Sequence, residues 1–285
     1  MPELPEVETM RRGLRPIVGT TIRAVERPPC ARKPITITPR WSDFRRRLIG
    51  RCITGLDRVG KRVVIELDSG ERLLFEPRMT GLVLLADPPS VEHLRLLVQL
   101  DGVASESLMY WDRRGLGLVR LLTADEFQER YHSGDIGPDA LKITVDDLRA
   151  RLGASRRAIK VAILDQRALA GVGNLYASEL LFLAAIDPRR RCDQLRLADW
   201  QRLHQAMIDV LELAIRYEGS TLSDGTYRNA LNEAGGFQNH HRVYDRAGEP
   251  CAVCRQPIER IVQAQRSTFF CKQCQGRSRR ASGKT

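Results

Sequence analysis

The stretch RVVIELDSGERLLF, residues 62–75, decides the architecture of the first half of the chain. Two runs rich in Val, Ile, Leu and Phe flank Asp68-Ser69-Gly70, whose small polar residues and glycine suit a tight reversal. Residues 62–67 and 72–75 therefore predict a β-hairpin. Similar short runs recur on both sides of it, at 52–56, 82–85, 94–100 and 117–122, with Asp101-Gly102 as a second turn signal. Several short strands at such spacing predict an antiparallel sandwich or barrel.

Upstream, Pro5 suits the first turn of a helix, where its missing N–H leaves nothing unsatisfied. Leu4, Val7, Met10 and Leu14 follow at steps of three and four and give that helix one apolar face, able to anchor the terminus against the sheet. Glu3 and Glu6 lie three apart and project together near its start. Beyond residue 123 the periodicity becomes helical, over 124–131, 145–152, 155–165, 174–185 and 198–217. The expected division is an N-terminal domain over 1–122, a linker over 123–136 and a helical domain over 137–245. A C-terminal module over 246–285 completes it. The glycines and proline of 132–141 are the linker signal. The fold class is thus α+β and multidomain: an antiparallel β-sandwich with a flanking helix, a helical domain, and a small appended hairpin.

Composition narrows the function. The 285 residues carry 46 Lys/Arg against 35 Asp/Glu, a formal charge of +11, with 42% apolar residues. This favours an anionic partner such as nucleic acid. Residues 251–285 alone hold eight basic residues and one acid, a net of +7 that leaves +4 for the first 250. Seven cysteines in a chain of this length do not read as a secreted disulfide scaffold. Cys30, Cys52 and Cys192 are scattered and are expected as free thiols. No charged segment followed by an apolar run opens the chain, and runs such as 82–86 and 180–186 are too short to span a bilayer. The expectation is a cytoplasmic monomer with no membrane partner.

The most specific spacing is Cys251-x2-Cys254, sixteen residues, then Cys271-x2-Cys274. Two such pairs aim four thiolates at one tetrahedral point, which leaves no open position, so one structural Zn2+ is expected. The residues between, 256–270, should form a hairpin bearing Arg266-Ser267-Thr268 and fold the basic tail. A second signal, Leu169-Ala170-Gly171-Val172-Gly173-Asn174, joins two predicted helices. Its glycines let backbone N–H groups approach a phosphate, Asn174 can cap the following helix, and Arg156, Arg157 and Lys160 precede it. Lys61 sits at a strand start in Gly60-Lys61-Arg62. Residues 110–117, YWDRRGLG, read as a loop able to place arginine and an apolar wedge into a DNA groove. Met79 is another apolar loop-tip candidate. Once Met1 is removed, Pro2 offers a secondary amine of pKa near about 8, able to attack an electrophilic carbon, with Glu3 beside it to move a proton.

Together these residues resemble the formamidopyrimidine-DNA glycosylase family nearly end to end. The opening Met1-Pro2-Glu3-Leu4-Pro5-Glu6-Val7-Glu8-Thr9 matches that family's amino terminus. LAGVGNLYASE, 169–179, looks like its helix–two-turn–helix motif, and Gln265-Arg266-Ser267-Thr268 with the last cysteine pair looks like its zinc finger. The resemblance implies a base-excision-repair glycosylase and AP lyase acting on damaged double-stranded DNA and removing oxidised purines. It implies Schiff-base chemistry at Pro2, ring opening assisted by Glu3, β-elimination linked to Lys61 and δ-elimination linked to Arg266. His93, Arg114, Arg156 and Asn174 align with DNA-contacting positions. The target base must first be flipped out of the stack.

Two departures stand out. The family's His-Leu-Gly-Met-Ser/Thr-Gly reads Glu76-Pro77-Arg78-Met79-Thr80-Gly81, so a carboxylate replaces a phosphate-contacting histidine unless Arg78 compensates. Its Arg-Arg-Phe-Gly reads Arg114-Gly115-Leu116-Gly117, so the aromatic wedge becomes Leu116. An endonuclease-VIII-like enzyme for oxidised pyrimidines, to which the loop 227–237 is relevant, is the alternative within the same chemistry. A DNA-binding relative without activity is the alternative outside it, against which intact Pro2, Glu3, Lys61 and Arg266 argue.

Overall fold

The computed structural model describes residues 2–102 and 106–276; Met1 and the basic tail from 277 onward lie outside the described residues. Two compact units emerge: Met1–Asp135 with Ala214–Gln238, and Ile136–Leu213 with Asn239–Thr285. No helix among the described residues is long and apolar enough to cross a membrane.

In the first unit the predicted hairpin forms between β4 (Arg62–Leu67) and β5 (Arg72–Glu76), in the register Val63↔Phe75, Val64↔Leu74, Ile65↔Leu73. It extends into a five-stranded sheet of order β2-β9-β5-β4-β3, with β2 (Thr36–Thr38), β3 (Ile53–Val59) and β9 (Leu118–Leu122). A four-stranded sheet of order β1-β7-β8-β6 completes the sandwich: β1 (Thr21–Glu26), β6 (Gly81–Leu84), β7 (Leu94–Asp101) and β8 (Ser107–Asp112). The pairing is antiparallel except that β2 runs parallel to β9. β1, β2 and β8 carry weak signals in the sequence. β2 is only three residues long, and Tyr110, Trp111 and Asp112, which read as loop, complete β8: the first two pair with both β6 and β7, and Asp112 with β6.

α1 (Leu4–Gly13) packs against β3, β4 and β6. Its stripe Leu4, Val7, Met10 and Leu14 is wholly buried, and each such side chain contributes about 1.5–3 kcal/mol. The residues of β4 from Val63 to Ile65 are all buried rather than alternating, because both of its faces are covered. α2 (Trp41–Leu48), with Phe44 and Leu48 inward, was masked in the sequence by its arginines. α3 (Ala124–His132) occupies most of the span expected as linker, capped by a Thr123–Glu126 box.

Residues 214–238, which the sequence places within one continuous helical domain, belong instead to the first unit. Tyr227 and Ala230 are buried in the sandwich core. Ala230 accepts the Leu85 N–H at 2.8 Å. A Cβ at Gly13 would stand only 2.6 Å from the Ala230 Cβ, so glycine is what lets this segment approach α1.

The second unit holds α4 (Val145–Leu152), α5 (Ile159–Ile163), α6 (Asn174–Leu183) and most of α7 (Leu197–Arg216), followed by β10 (Glu259–Gln263), β11 (Arg266–Phe270) and α8 (Lys272–Gly276). The helix expected over 155–165 shrinks to α5. Arg157 donates its N–H to Ser155 Oγ at 3.2 Å and its carbonyl accepts from Cys192 at 3.1 Å. Those bonds leave Arg156 and Arg157 in an extended lead-in. The hairpin between the cysteine pairs turns through Ala264 (φ 45°) and Gln265 (φ 62°), both left-handed, as a two-residue reversal requires.

α1 is also fixed by charge. Glu8 receives Arg11 at 2.7 Å, Arg12 at 2.8 Å and Arg58 at 3.0 Å. Burial opposes its ionisation, but the hydrogen bonds from Arg11 and Arg12 and the charges of Arg11 and Arg58 outweigh it and lower its pKa to about 2. A carboxylate so depressed stabilises the fold above its unfolded value of 4.5 and loses that contribution as pH falls toward 2. Glu8→Gln is therefore expected to cost on the order of 3 kcal/mol at neutral pH. It should also flatten the acid limb of a denaturation series between those two values, and an unchanged limb would contradict this assignment.

Candidate active site

Pro2 is buried rather than frayed, and Glu3 and Glu6 are 5% and 3% exposed. The two glutamates form a reciprocal capping box at the start of α1, in which one oxygen of Glu6 accepts the Glu3 N–H at 2.9 Å. Its other oxygen accepts the Ser220 N–H, also at 2.9 Å. Gly219 (φ +79°) makes this approach possible, since a Cβ there would lie 2.9 Å from Glu6. The Tyr227 hydroxyl donates to the Glu218 carbonyl at 3.0 Å and reaches the Glu6 carbonyl at 3.3 Å. Burial first, then the Glu6 charge, raises the Tyr227 pKa and keeps it a neutral donor. Glu3 and Glu6, which follow Pro2, are thus held in place, as an amine nucleophile next to them requires.

Lys61 is half-buried and stands in the turn between β3 and β4, next to Gly60 (φ +56°). Arg58 donates to the Gly60 carbonyl at 3.0 Å and to Glu8 at 3.0 Å. One guanidinium therefore ties the Lys61 turn to the helix that carries Pro2 and Glu3.

Two loops at this end of the sheets expose the apolar tips expected from the sequence. Met79 is 39% and Leu116 41% exposed. Asp112, fully buried, braces both loops: it accepts the Thr80 hydroxyl at 2.5 Å, the Gly117 N–H at 2.7 Å and the Arg114 N–H at 3.2 Å. The Tyr110 hydroxyl lies where a Cβ on Gly81 or Gly117 would stand, at 2.3 and 1.8 Å, so neither loop tolerates a side chain there. Arg113 reaches Thr226 at 2.8 Å, and Arg114 is exposed.

Glu76 does not stand as an isolated negative charge. It lies 2.5 Å from Arg78, 2.7 Å from Arg62 and 3.6 Å from Arg120, so the cluster is net positive. Arg78 adopts a left-handed backbone (φ 54°) with its side chain half exposed. His93 stands immediately before β7, in a short turn of helix. It is 7% exposed, edge-on to Trp111 at 5.6 Å, and its Nε2 meets Glu92 at 3.0 Å.

In the second unit the glycine turn is stapled by Gln166, which accepts the Gly171 N–H at 3.0 Å and donates to the Val172 carbonyl at 2.9 Å. The residue preceding α6 is Gly173, so Asn174 is the first helical residue and not its cap. Its side-chain oxygen accepts from Lys160 at 2.8 Å. Lys160 is 1% exposed and also donates to the Ser267 carbonyl and the Thr268 hydroxyl, each at 2.8 Å. It is a buried bracket between α5, α6 and β11, not a surface cation. Arg156 is exposed. Glu179 of the same motif accepts the N–H groups of Arg242, Val243 and Tyr244 at 2.8–2.9 Å. Burial outweighs those bonds and raises its pKa.

The sulfurs of Cys251, Cys254, Cys271 and Cys274 all lie within 4.8 Å of one another. A tetrahedron with Zn–S of about 2.3 Å has edges near about 3.8 Å, so the four fit one structural zinc. Gln275 accepts the Cys271 N–H at 2.8 Å and donates to the Ile186 carbonyl at 2.9 Å, docking the module on its own unit. Arg266 is exposed beside the hairpin turn. Cys192 lies outside the cluster, and burial pushes its thiol up to about 11. No direct signal in the sequence marks the roles of Asp112, Arg58, Ser220 or of Arg62 and Arg120 beside Glu76, because they depend on strand register and on the returning segment.

Comparison with known proteins bears on this geometry. Residues 1–119 match the formamidopyrimidine-DNA glycosylase N-terminal domain, 136–226 the H2TH domain of that enzyme, and 248–276 the zinc finger found in FPG and IleRS. The formamidopyrimidine-DNA glycosylase of Thermus thermophilus is 39% identical over 97% of this chain and 99% of its own. That of Streptococcus mutans is 36% identical over 96% and 99%. The crystal structure of MutM (Fpg) from Thermus thermophilus superposes with a TM-score of 0.84 at 38% identity, covering 96% of this chain and 99% of that one. A Lactococcus lactis Fpg mutant in complex with Fapy-dG-containing DNA gives 0.86 at 34%, covering 97% and 100%.

Metal analysis is expected to give one zinc per chain. Stripping it with a chelator, or Cys271→Ala, should lower the melting temperature and abolish duplex binding. Full binding by the zinc-free protein would contradict the structural role.

Proposed function

The chain belongs to the formamidopyrimidine-DNA glycosylase family, and from that membership we propose that it excises oxidised purines from double-stranded DNA through its N-terminal proline and then cuts the strand. The observation that carries this reading is the buried, doubly anchored Pro2-Glu3 terminus. A free secondary amine held in place has no use in a protein that only binds DNA.

The steps follow from the residues. With Met1 removed, the Pro2 nitrogen attacks C1′ of a flipped-out nucleotide as the bond to the damaged base breaks. Glu3, at the same helix start, donates a proton to the ring oxygen and opens the sugar. The resulting iminium is an electron sink that acidifies the C2′ proton. Lys61, on the turn tied to α1 by Arg58, serves β-elimination, and Arg266 serves δ-elimination, leaving a one-nucleotide gap with phosphate ends. Arg114, Arg156 and Asn174 contact the backbone of the duplex, while Met79 and Leu116 fill the vacated stack. The positive cluster around Glu76 keeps that loop compatible with phosphate. The reading divides the chain into a catalytic unit, a DNA-binding helical domain and a zinc module, with 214–238 grouped with the catalytic unit. The enzyme works as a cytoplasmic monomer, associated with the nucleoid if the source is bacterial.

Borohydride is expected to trap the processed protein covalently on a duplex with an abasic site, with trapping sharply reduced in Pro2→Gly. Absence of a trapped product from correctly processed protein would overturn the reading. Because Leu116 offers no ring to stack, excision of 8-oxoguanine opposite C and opposite A should differ little, and a strong preference for C would contradict that expectation.

A further inference from the structure

Positive charge is concentrated in a second place that the chemistry above does not use. Residues 23–51 contain nine Lys/Arg and two acids, a net of +7. The last 35 residues carry another +7 of the total +11, so the remainder of the chain is net −3. The core of the first cluster is α2. Arg40, Arg45, Arg46 and Arg51 are all exposed, and among the described residues only Arg46 of these four meets a carboxylate, Asp43 at 2.6 Å. The Arg27 and Arg45 guanidiniums lie 4.5 and 6.0 Å from the Trp41 ring, which holds them on this face.

This surface lies away from the reacting end of the sandwich. Arg47 of α2 binds Glu71 at 2.6 Å, at the turn that follows β4, whereas Lys61 stands immediately before β4. Six strand residues at ~3.3 Å each separate the two turns by about 20 Å. Phe44 and Leu48 are buried against the sandwich, so α2 presents charge to solvent and not the apolar face that would enter a lipid surface.

We propose that α2 is a second DNA-binding surface, which holds the phosphates of an undamaged duplex segment while the catalytic end engages another. This rests on the glycosylase reading for its choice of polyanion. Arginines without acidic partners are suited to neutralising phosphates. Two cationic surfaces on one molecule permit direct transfer between duplex segments.

The test uses full-length protein trapped by borohydride on an abasic duplex, so that the primary site is filled. A labelled undamaged duplex is then titrated at several salt concentrations. Wild type should bind it, and the variant Arg40→Gln/Arg45→Gln/Arg46→Gln/Arg51→Gln should bind at least about tenfold more weakly, with a salt slope smaller by about 0.9 for each phosphate no longer neutralised. Lysine at the same four positions should preserve binding, which separates loss of charge from loss of fold. Single-turnover excision of pre-bound lesion duplex should be unchanged in the variant. No uptake of the second duplex, equal affinity and slope in the glutamine variant, or stronger binding of anionic vesicles or single-stranded RNA would overturn the proposal. Failure of trapping itself defeats the glycosylase reading instead, and the α2 surface is then judged by the salt slopes of the untrapped proteins.

Discussion

The Glu6 carboxylate is the interaction on which the catalytic unit depends. It is 3% exposed, and its two oxygens are spent on the N–H groups of Glu3 and Ser220. A buried carboxylate without such donors would be expelled or protonated. Satisfied by them, it joins the first turn of α1 to a segment more than 200 residues later. That bond bears on two findings at once: the backbone of Glu3 is held at the start of α1, and residues 214–238 return to the sandwich.

Other buried polar side chains repeat the device. Asp112 holds the Met79 and Leu116 loops through a hydroxyl and two backbone N–H groups. Within the second unit, Lys160 joins Asn174 to β11, the strand that opens with Arg266. Lys61, Met79 and Leu116 are therefore carried on short loops braced by a neighbouring buried side chain, Arg58 for the first and Asp112 for the other two. Exposed ion pairs such as Arg46–Asp43 contribute little by comparison. Removing one partner of a buried group leaves the other unsatisfied, which is the larger penalty.

Much of this was legible in the sequence. The α1 stripe, the hairpin over 62–75, the long helix and the four-cysteine spacing follow from local periodicity and ligand chemistry, and the structure reproduces them. What escaped was non-local. α2 escaped because arginine dominates its exposed face, and β8 because Tyr110 and Trp111 abut a glycine-rich loop. The sequence positions of His93 and Lys160 give no hint that Trp111 would pack against the one and Thr268 bind the other. Glu76 looked repulsive until strand pairing brought Arg62 and Arg120 beside it. The partners of Glu6 lie in a segment that only the folded chain brings back.

The central claim, that the amine of Pro2 is the nucleophile, is tested most directly by locating the covalent adduct. After borohydride trapping on abasic DNA and proteolysis, mass spectrometry should find the sugar remnant on the N-terminal peptide beginning with Pro2, and on its α-nitrogen. An adduct on Lys61, with Pro2 unmodified, would contradict the account.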